Sequence, residues 1–293
     1  MPHTLQNDTI SLKLMLAGEH YRGTRFDWSG GIVSLQFEGI ELAGIEDPDR
    51  KNEAGIGRGF YNEFGIESPV GFEETAIGDY FHKIGVGLLK KDERPYSFAH
   101  NYEFKPCQFS IQKDAQSLSC ECKSEEANGY AYSFKKKISL VENGFCIDYQ
   151  LENRGRKTII TDEYNHNFIS INQETLSESH FLKFPFSLRP GKVGEAINPS
   201  GTVLIEDQQV SFQAKPEEVF FFSYLSAEES VAALWRLEDH KTGISMQEKG
   251  DFLTNKVNLW GSSSVISPEL FYAIHLAAGE SCSWSRLYEI NRL

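Results

Sequence analysis

Apolar residues recur at every second position in stretch after stretch of this chain, and that period limits its fold more than any other feature. Ile10, Leu12, Leu14 and Leu16 follow it, as do Val33, Leu35 and Phe37. In the clearest case Phe145, Ile147, Tyr149 and Leu151 form one face, with Cys146, Asp148 and Gln150 on the other. Phe134, Lys136, Ile138 and Leu140 precede them, and Val141-Glu142-Asn143-Gly144 joins the two runs with the Asn-Gly pair of a hairpin turn. Val219–Leu225 and Val231–Trp235 read as fully buried strands, and Cys282, Trp284, Arg286, Tyr288 and Ile290 as a closing one. No amphipathic helix longer than a turn or two, internal repeat or low-complexity linker interrupts the pattern. Many strands without an internal boundary predict an all-β chain, one large antiparallel β-sandwich spanning residues 1–293 as a single domain.

Composition narrows the function. A formal net charge of -13 argues against nucleic acid and anionic membrane surfaces, which both demand a basic footprint. Five cysteines, an odd number in a long chain, point away from a disulfide framework and towards a reducing, cytoplasmic compartment. Cys120 and Cys122 share one strand face but lack metal-ligand or redox spacing, and read as small hydrophobes. Met1–Asp8 has neither a basic start nor an apolar run, so no signal peptide is expected. No stretch has the apolar length of a membrane span.

The chemistry concentrates in Thr161-Asp162-Glu163-Tyr164-Asn165-His166-Asn167-Phe168-Ile169-Ser170-Ile171-Asn172. On a strand, Tyr164, His166 and Phe168 face one side and Asn165 and Asn167 the other. An imidazole among rings suits a polar, ring-shaped ligand. The plainer reading is a core histidine satisfied by a neighbouring hydroxyl or carbonyl.

Asn165-His166-Asn167-Phe168 resembles the Asn-His-x-x-Phe type element of the aldose 1-epimerases (galactose mutarotases) and their mutarotase-like relatives. The C-terminus is similar too: Ile266-Ser267-Pro268-Glu269, then Leu276-Ala277-Ala278-Gly279-Glu280-Ser281, then Trp284–Ile290. The order of elements agrees from about Ser11 to Ile290. The resemblance implies a mutarotase-like supersandwich that interconverts sugar anomers by acid–base ring opening, without metal or cofactor. It implies His166 as general acid, protonated near neutrality, and a carboxylate as base. The short Leu-Glu pattern that carries this carboxylate in familiar aldose epimerases is absent at Leu259-Trp260-Gly261. Other branches place it near Ser267-Pro268-Glu269, which makes Glu269 the candidate and Glu163 its competitor. Trp260 would be the stacking platform.

The same resemblance places a second active-site histidine several strands upstream, and an arginine earlier still; His100 and Arg58 stand in that order, outside any recognisable local pattern. His82 is the competing histidine. Gly55–Gly65 is glycine-rich but matches neither phosphate-binding fingerprint, and reads as a loop turning tightly near a ligand. Arg25, Arg58 and Lys83 would favour a sugar phosphate or sugar acid if they line the cleft; with Arg22 they are otherwise surface charges. The expected partner is a small sugar or sugar derivative, bound by a monomer or homodimer. The rival is a non-catalytic carbohydrate-binding protein on the same sandwich; an accessory domain of a polysaccharide lyase or hydrolase comes third.

Overall fold

A computed structural model describes residues 3–19, 21–51 and 56–293 of the protein. Gly55, Met1 and Pro2, on which two of the readings above touch, lie outside them. Among the described residues the only helical elements are two three-residue 3-10 turns, Pro48–Arg50 and Ile171–Gln173. Everything else regular is strand, as the two-residue period demands.

Two sheets carry the architecture. A seven-stranded sheet runs in the order His3–Gln6, Ile10–Met15, Gly31–Phe37, Gly59–Phe64, Ile159–Phe168, Tyr272–Leu276, with Ile40–Glu41 pairing Gly31–Phe37. A ten-stranded sheet has Ile244–Thr254, Ser281–Arg292, Gly144–Asn153 and Tyr132–Val141 side by side at its centre. Four-stranded and three-stranded sheets, the latter opening with Tyr80–Lys83, complete the fold. Leu12, Leu35, Phe60 and Phe64 of the first large sheet share one hydrophobic cluster with Phe134, Ile147, Leu151, Trp235 and Tyr288 of the second. Cross-strand aromatic pairs knit the second sheet: Phe145 stacks on its register partner Tyr288 at 4.5 Å, and Tyr149 on Trp284 at 5.0 Å. Such pairs each add about 0.5–1.5 kcal/mol beyond the area they bury.

Three local expectations change in the structure. Gly59–Phe64 is a fully buried strand between Gly31–Phe37 and Ile159–Phe168 rather than a loop. Gly59 opens it with φ of 65°, and a Cβ there would stand 2.0 Å from the Ile32 carbonyl oxygen, so glycine serves a close strand approach. The hairpin at Val141–Gly144 forms as expected, Val141 pairing with Gly144, but Gly144 itself begins the second strand, where a Cβ would meet the Tyr288 carbonyl oxygen at 1.9 Å. Its role is contact with the next strand rather than turn geometry. The apolar run at Val219–Leu225 contributes only Phe220–Phe222 as strand.

Among the described residues, two buried ionic groups face the core between the two large sheets. Lys136, on a core-facing position, meets Asp27 at 3.1 Å. Arg286 reaches Glu163 at 2.7 Å and Glu248 at 2.5 Å, all three inaccessible to solvent. Trp284 Nε1 also donates to Glu163, and Trp235 Nε1 and Asn167 Nδ2 to Glu248. This network backs the strand Ile159–Phe168 on the face opposite His166.

Candidate active site

His166 stands on the central strand Ile159–Phe168 and Glu269 on Ile266–Leu270, and the fold brings Nε2 of the one to 3.4 Å from Oε1 of the other. Rings enclose the imidazole: Phe168 stacks on it at 4.1 Å, Trp260 meets it edge-on at 5.3 Å, and Phe26 at 5.8 Å. His166 is 2% exposed and Glu269 3%. Nδ1 of His166 is buried and has no hydrogen-bond partner among the described residues. Phe26 and Trp260 also line a pocket of about 910 Å³, so the pair lies directly behind its wall.

That enclosure sets the protonation states. Burial, opposed by Arg25, pushes the Glu269 carboxyl up to about 8, and neighbouring Glu63 adds to the rise. Burial, helped by Arg25, holds His166 well below the ordinary imidazole value. At neutral pH the imidazole is neutral and the carboxyl holds the proton. The imidazolium expected from the sequence is therefore replaced by the opposite distribution, because a site sealed by rings penalises both charges.

The cations behave differently from a cleft cluster. Arg25 does line the pocket, its guanidinium lying 4.5 Å from the Phe26 ring centre and 4.4 Å from that of Phe98. Its Nε donates to Glu63 at 2.8 Å, its Nη2 to the Tyr164 hydroxyl at 3.2 Å, and Nη1 lies 3.7 Å from Glu46. Lys83 is fully buried, donating to Glu63 at 3.1 Å and to the Tyr96 hydroxyl at 3.0 Å, so it is a structural partner and not a cleft charge. Burial alone would raise the Glu63 carboxyl, but Lys83 and Arg25 together bring it below its ordinary value. Arg58 lines a separate groove of about 300 Å³, which shares only Pro48 and Ser264 with the pocket. The expected trio thus splits, and only Arg25 reaches the pocket wall.

His100 also lines the pocket. His82 does not: it is buried beside Tyr132 and Tyr130, with Nε2 3.4 Å from the Ala127 carbonyl oxygen. Glu163 belongs to the Arg286 network and faces away from His166. The sequence reading missed Tyr21, Phe26 and Phe98 as lining rings, and Glu46, Asp47 and Asp49 as acidic residues of the same pocket. The aromatic run Tyr21–Trp28 around Arg25 was the available signal for the first two. No group of three or more histidine, cysteine or carboxylate side chains among the described residues is placed to hold a metal ion. Among them, too, no helix is long and apolar enough to cross a membrane.

No family model matches the sequence, and no curated protein matches it. Solved structures do. A galactose mutarotase related enzyme from Lactobacillus acidophilus superposes with a TM-score of 0.60 at 12% identity, covering 99% of this chain and 97% of that one. The GalM/aldose epimerase homologue from C. elegans gives 0.58 at 12% identity, with 100% and 99% covered. A galactose mutarotase-like protein from Clostridium acetobutylicum gives 0.56 at 12% identity, with 99% and 95% covered. Such identity speaks for the fold alone, over essentially the whole of both chains. This all-β chain has the galactose mutarotase-like fold.

Proposed function

We propose that the protein is an aldose 1-epimerase-like isomerase of carbohydrate metabolism, interconverting the anomers of a sugar by acid–base ring opening. The observation that carries the reading is the His166–Glu269 contact at 3.4 Å behind a ring-lined pocket. Anomerisation takes a proton from the C1 hydroxyl, delivers one to the ring oxygen, and reverses both transfers after rotation about C1–C2. A neutral imidazole and a protonated carboxyl supply one acceptor and one donor. In this assignment Glu269 protonates the ring oxygen and His166 accepts the C1 hydroxyl proton, and ring closure on the other face restores both. Each well-placed acid or base contributes on the order of a hundred- to ten-thousand-fold. Trp260 and Phe26 are the ring platforms, with Arg25 and His100 on the pocket wall.

The substrate is a neutral sugar in this reading. Lys83 is spent on Glu63 and Arg58 lies in another groove, whereas the carboxylates Glu46, Asp47 and Asp49 outnumber the cations Arg25 and Arg50 on the pocket lining, with Arg25 already bonded to Glu63, and this balance disfavours phosphates and uronates. The five free cysteines suit a reducing compartment such as the cytoplasm. Residues 1–293 act as one domain, as monomer or homodimer.

Polarimetry on freshly dissolved α-anomers tests the activity, and calorimetry with neutral hexoses, sugar phosphates and uronic acids tests the charge preference. Tighter binding of the anionic sugars would reverse the substrate assignment. One observation favours the alternative of a non-catalytic carbohydrate-binding protein: His166, packed against Phe26 and Trp260, and its neighbour Glu269 have almost no access to solvent. Sugar binding without any acceleration of anomerisation would establish that alternative.

A further inference from the structure

His166 and Glu269 meet because their strands converge, and the convergence is built where the backbone ladder fails. Ile169 and Ile266 exchange both backbone hydrogen bonds, at 3.1 and 3.0 Å. Continuing that antiparallel register makes Asn167 and Pro268 the next hydrogen-bonded pair. Proline has no N–H to donate, so the ladder cannot continue. Two side chains take its place. The Asn167 backbone N–H donates to Ser267 Oγ at 2.9 Å, and Asn167 Nδ2 donates to the Pro268 carbonyl at 2.8 Å. Asn167 is itself fixed from behind by Glu248, and accepts from the Tyr288 hydroxyl at 3.0 Å.

Ser267 and Glu269 are two apart on one strand and share a face. With its lone pair engaged by Asn167, the Ser267 hydroxyl donates to Glu269 Oε1 at 3.4 Å. That same oxygen is the one facing His166 Nε2. We propose that Ser267 is a positioning residue: oriented by the Asn167 amide, it holds Oε1 of Glu269 towards His166 and favours the carboxylate form. This role rests on the acid–base reading of the pair for its catalytic meaning, but not for its physical test.

The charged and titratable groups around Glu269 are Arg25 from the pocket wall, Glu63 from Gly59–Phe64, Tyr164 and His166 from Ile159–Phe168, and Lys256 ahead of Val257–Gly261. Ser267 differs from all of them in acting through a neutral hydrogen bond on the residue's own strand. Its removal therefore alters Glu269 without removing any charge.

The test follows the Glu269 carboxyl directly, by infrared difference titration of the protein without sugar, with Glu269→Gln identifying the band. Ser267→Ala is expected to raise the Glu269 midpoint by about half a unit or more, since a donor to the charged form is lost. Ser267→Thr, which keeps the hydroxyl, is expected to restore it. In Ser267→Ala the limb of kcat against pH that belongs to Glu269 should move by the same amount, with KM nearly unchanged. Should Ser267→Ala fail to fold, Ser267→Cys keeps the volume with a much weaker donor and is read in the same way. A merely structural serine would lower thermal stability and leave the midpoint where it is, and that result overturns the proposal. Absence of anomerase activity alongside a shifted midpoint would overturn the functional reading and leave this one standing.

Discussion

Glu269 carries a cost that its proposed role explains. Its carboxyl titrates at about 8 in the fold against an ordinary 4.5. A raised carboxyl pKa contributes stability that is fully present below 4.5 and is lost as pH rises towards 8, because the unfolded chain releases its proton first. The loss is about 1.4 kcal/mol for each pH unit in that window. Glu269→Gln copies the protonated shape and cannot ionise, so its thermal midpoint should match wild type near pH 5 and exceed it at pH 8. A midpoint below wild type at both values would contradict the burial argument. Activity should move the other way: Glu269→Gln and His166→Asn each lose at least about a hundred-fold in anomerisation rate by polarimetry. Full activity in His166→Asn would end the epimerase reading. Stability gained where activity is lost is what a strained functional carboxyl produces.

The strand Ile159–Phe168 serves two environments at once, and its alternation keeps them apart. Tyr164, His166 and Phe168 face the rings and the pocket wall, while Glu163, Asn165 and Asn167 face the buried Arg286 network. Among the described residues Arg286 is the only cation bonded to Glu163 and Glu248, so Arg286→Met leaves two buried carboxylates uncompensated. That should cost about 3–5 kcal/mol in denaturant unfolding, whereas replacing Glu163, Glu248 and Arg286 together by apolar residues should cost much less. Equal losses in the two variants would mean that the network does more than neutralise itself. This division was legible in the sequence, since it follows from a period of two and from the residue types of one segment. The partnering of charges was not. Lys83 finds Glu63 twenty residues away and Arg25 finds it thirty-eight away, so a lysine that looked like a surface charge became a core one. Gly59–Phe64 was misread for a related reason: its glycine serves a neighbouring strand invisible to local pattern. Glu269 was legible only through a resemblance in motif order, because nothing local distinguishes Ser267-Pro268-Glu269 from a loop.

At the scale of the whole molecule, one hydrophobic cluster spans both large sheets, so the fold should lose its structure in a single thermal transition. Its pH dependence follows from buried groups of both kinds. Burial holds His82 down at about 4, and His166 and His180 below their ordinary 6.5. The unfolded chain takes up those protons first as pH falls, so stability is lost from 6.5 downwards. Burial raises Glu269, Glu163 and Asp162 above their ordinary carboxyl values, and that stability is lost as pH rises through the window above about 4.5. Between about 4.5 and 6.5 the two sets oppose one another. Above 6.5 only the carboxyl loss continues, and the self-repulsion of a chain with formal net charge -13 adds to it. Below 4.5 the histidine loss continues, and the Glu63 carboxylate, held below its ordinary value by Lys83 and Arg25 against its burial, is protonated as well. Calorimetric scans should therefore give a higher midpoint at about pH 5.5 than at either about 3.5 or about 8. A midpoint at pH 8 equal to or above that at 5.5 would mean that the buried carboxyls ionise without cost, and the resident proton proposed for Glu269 would go with it.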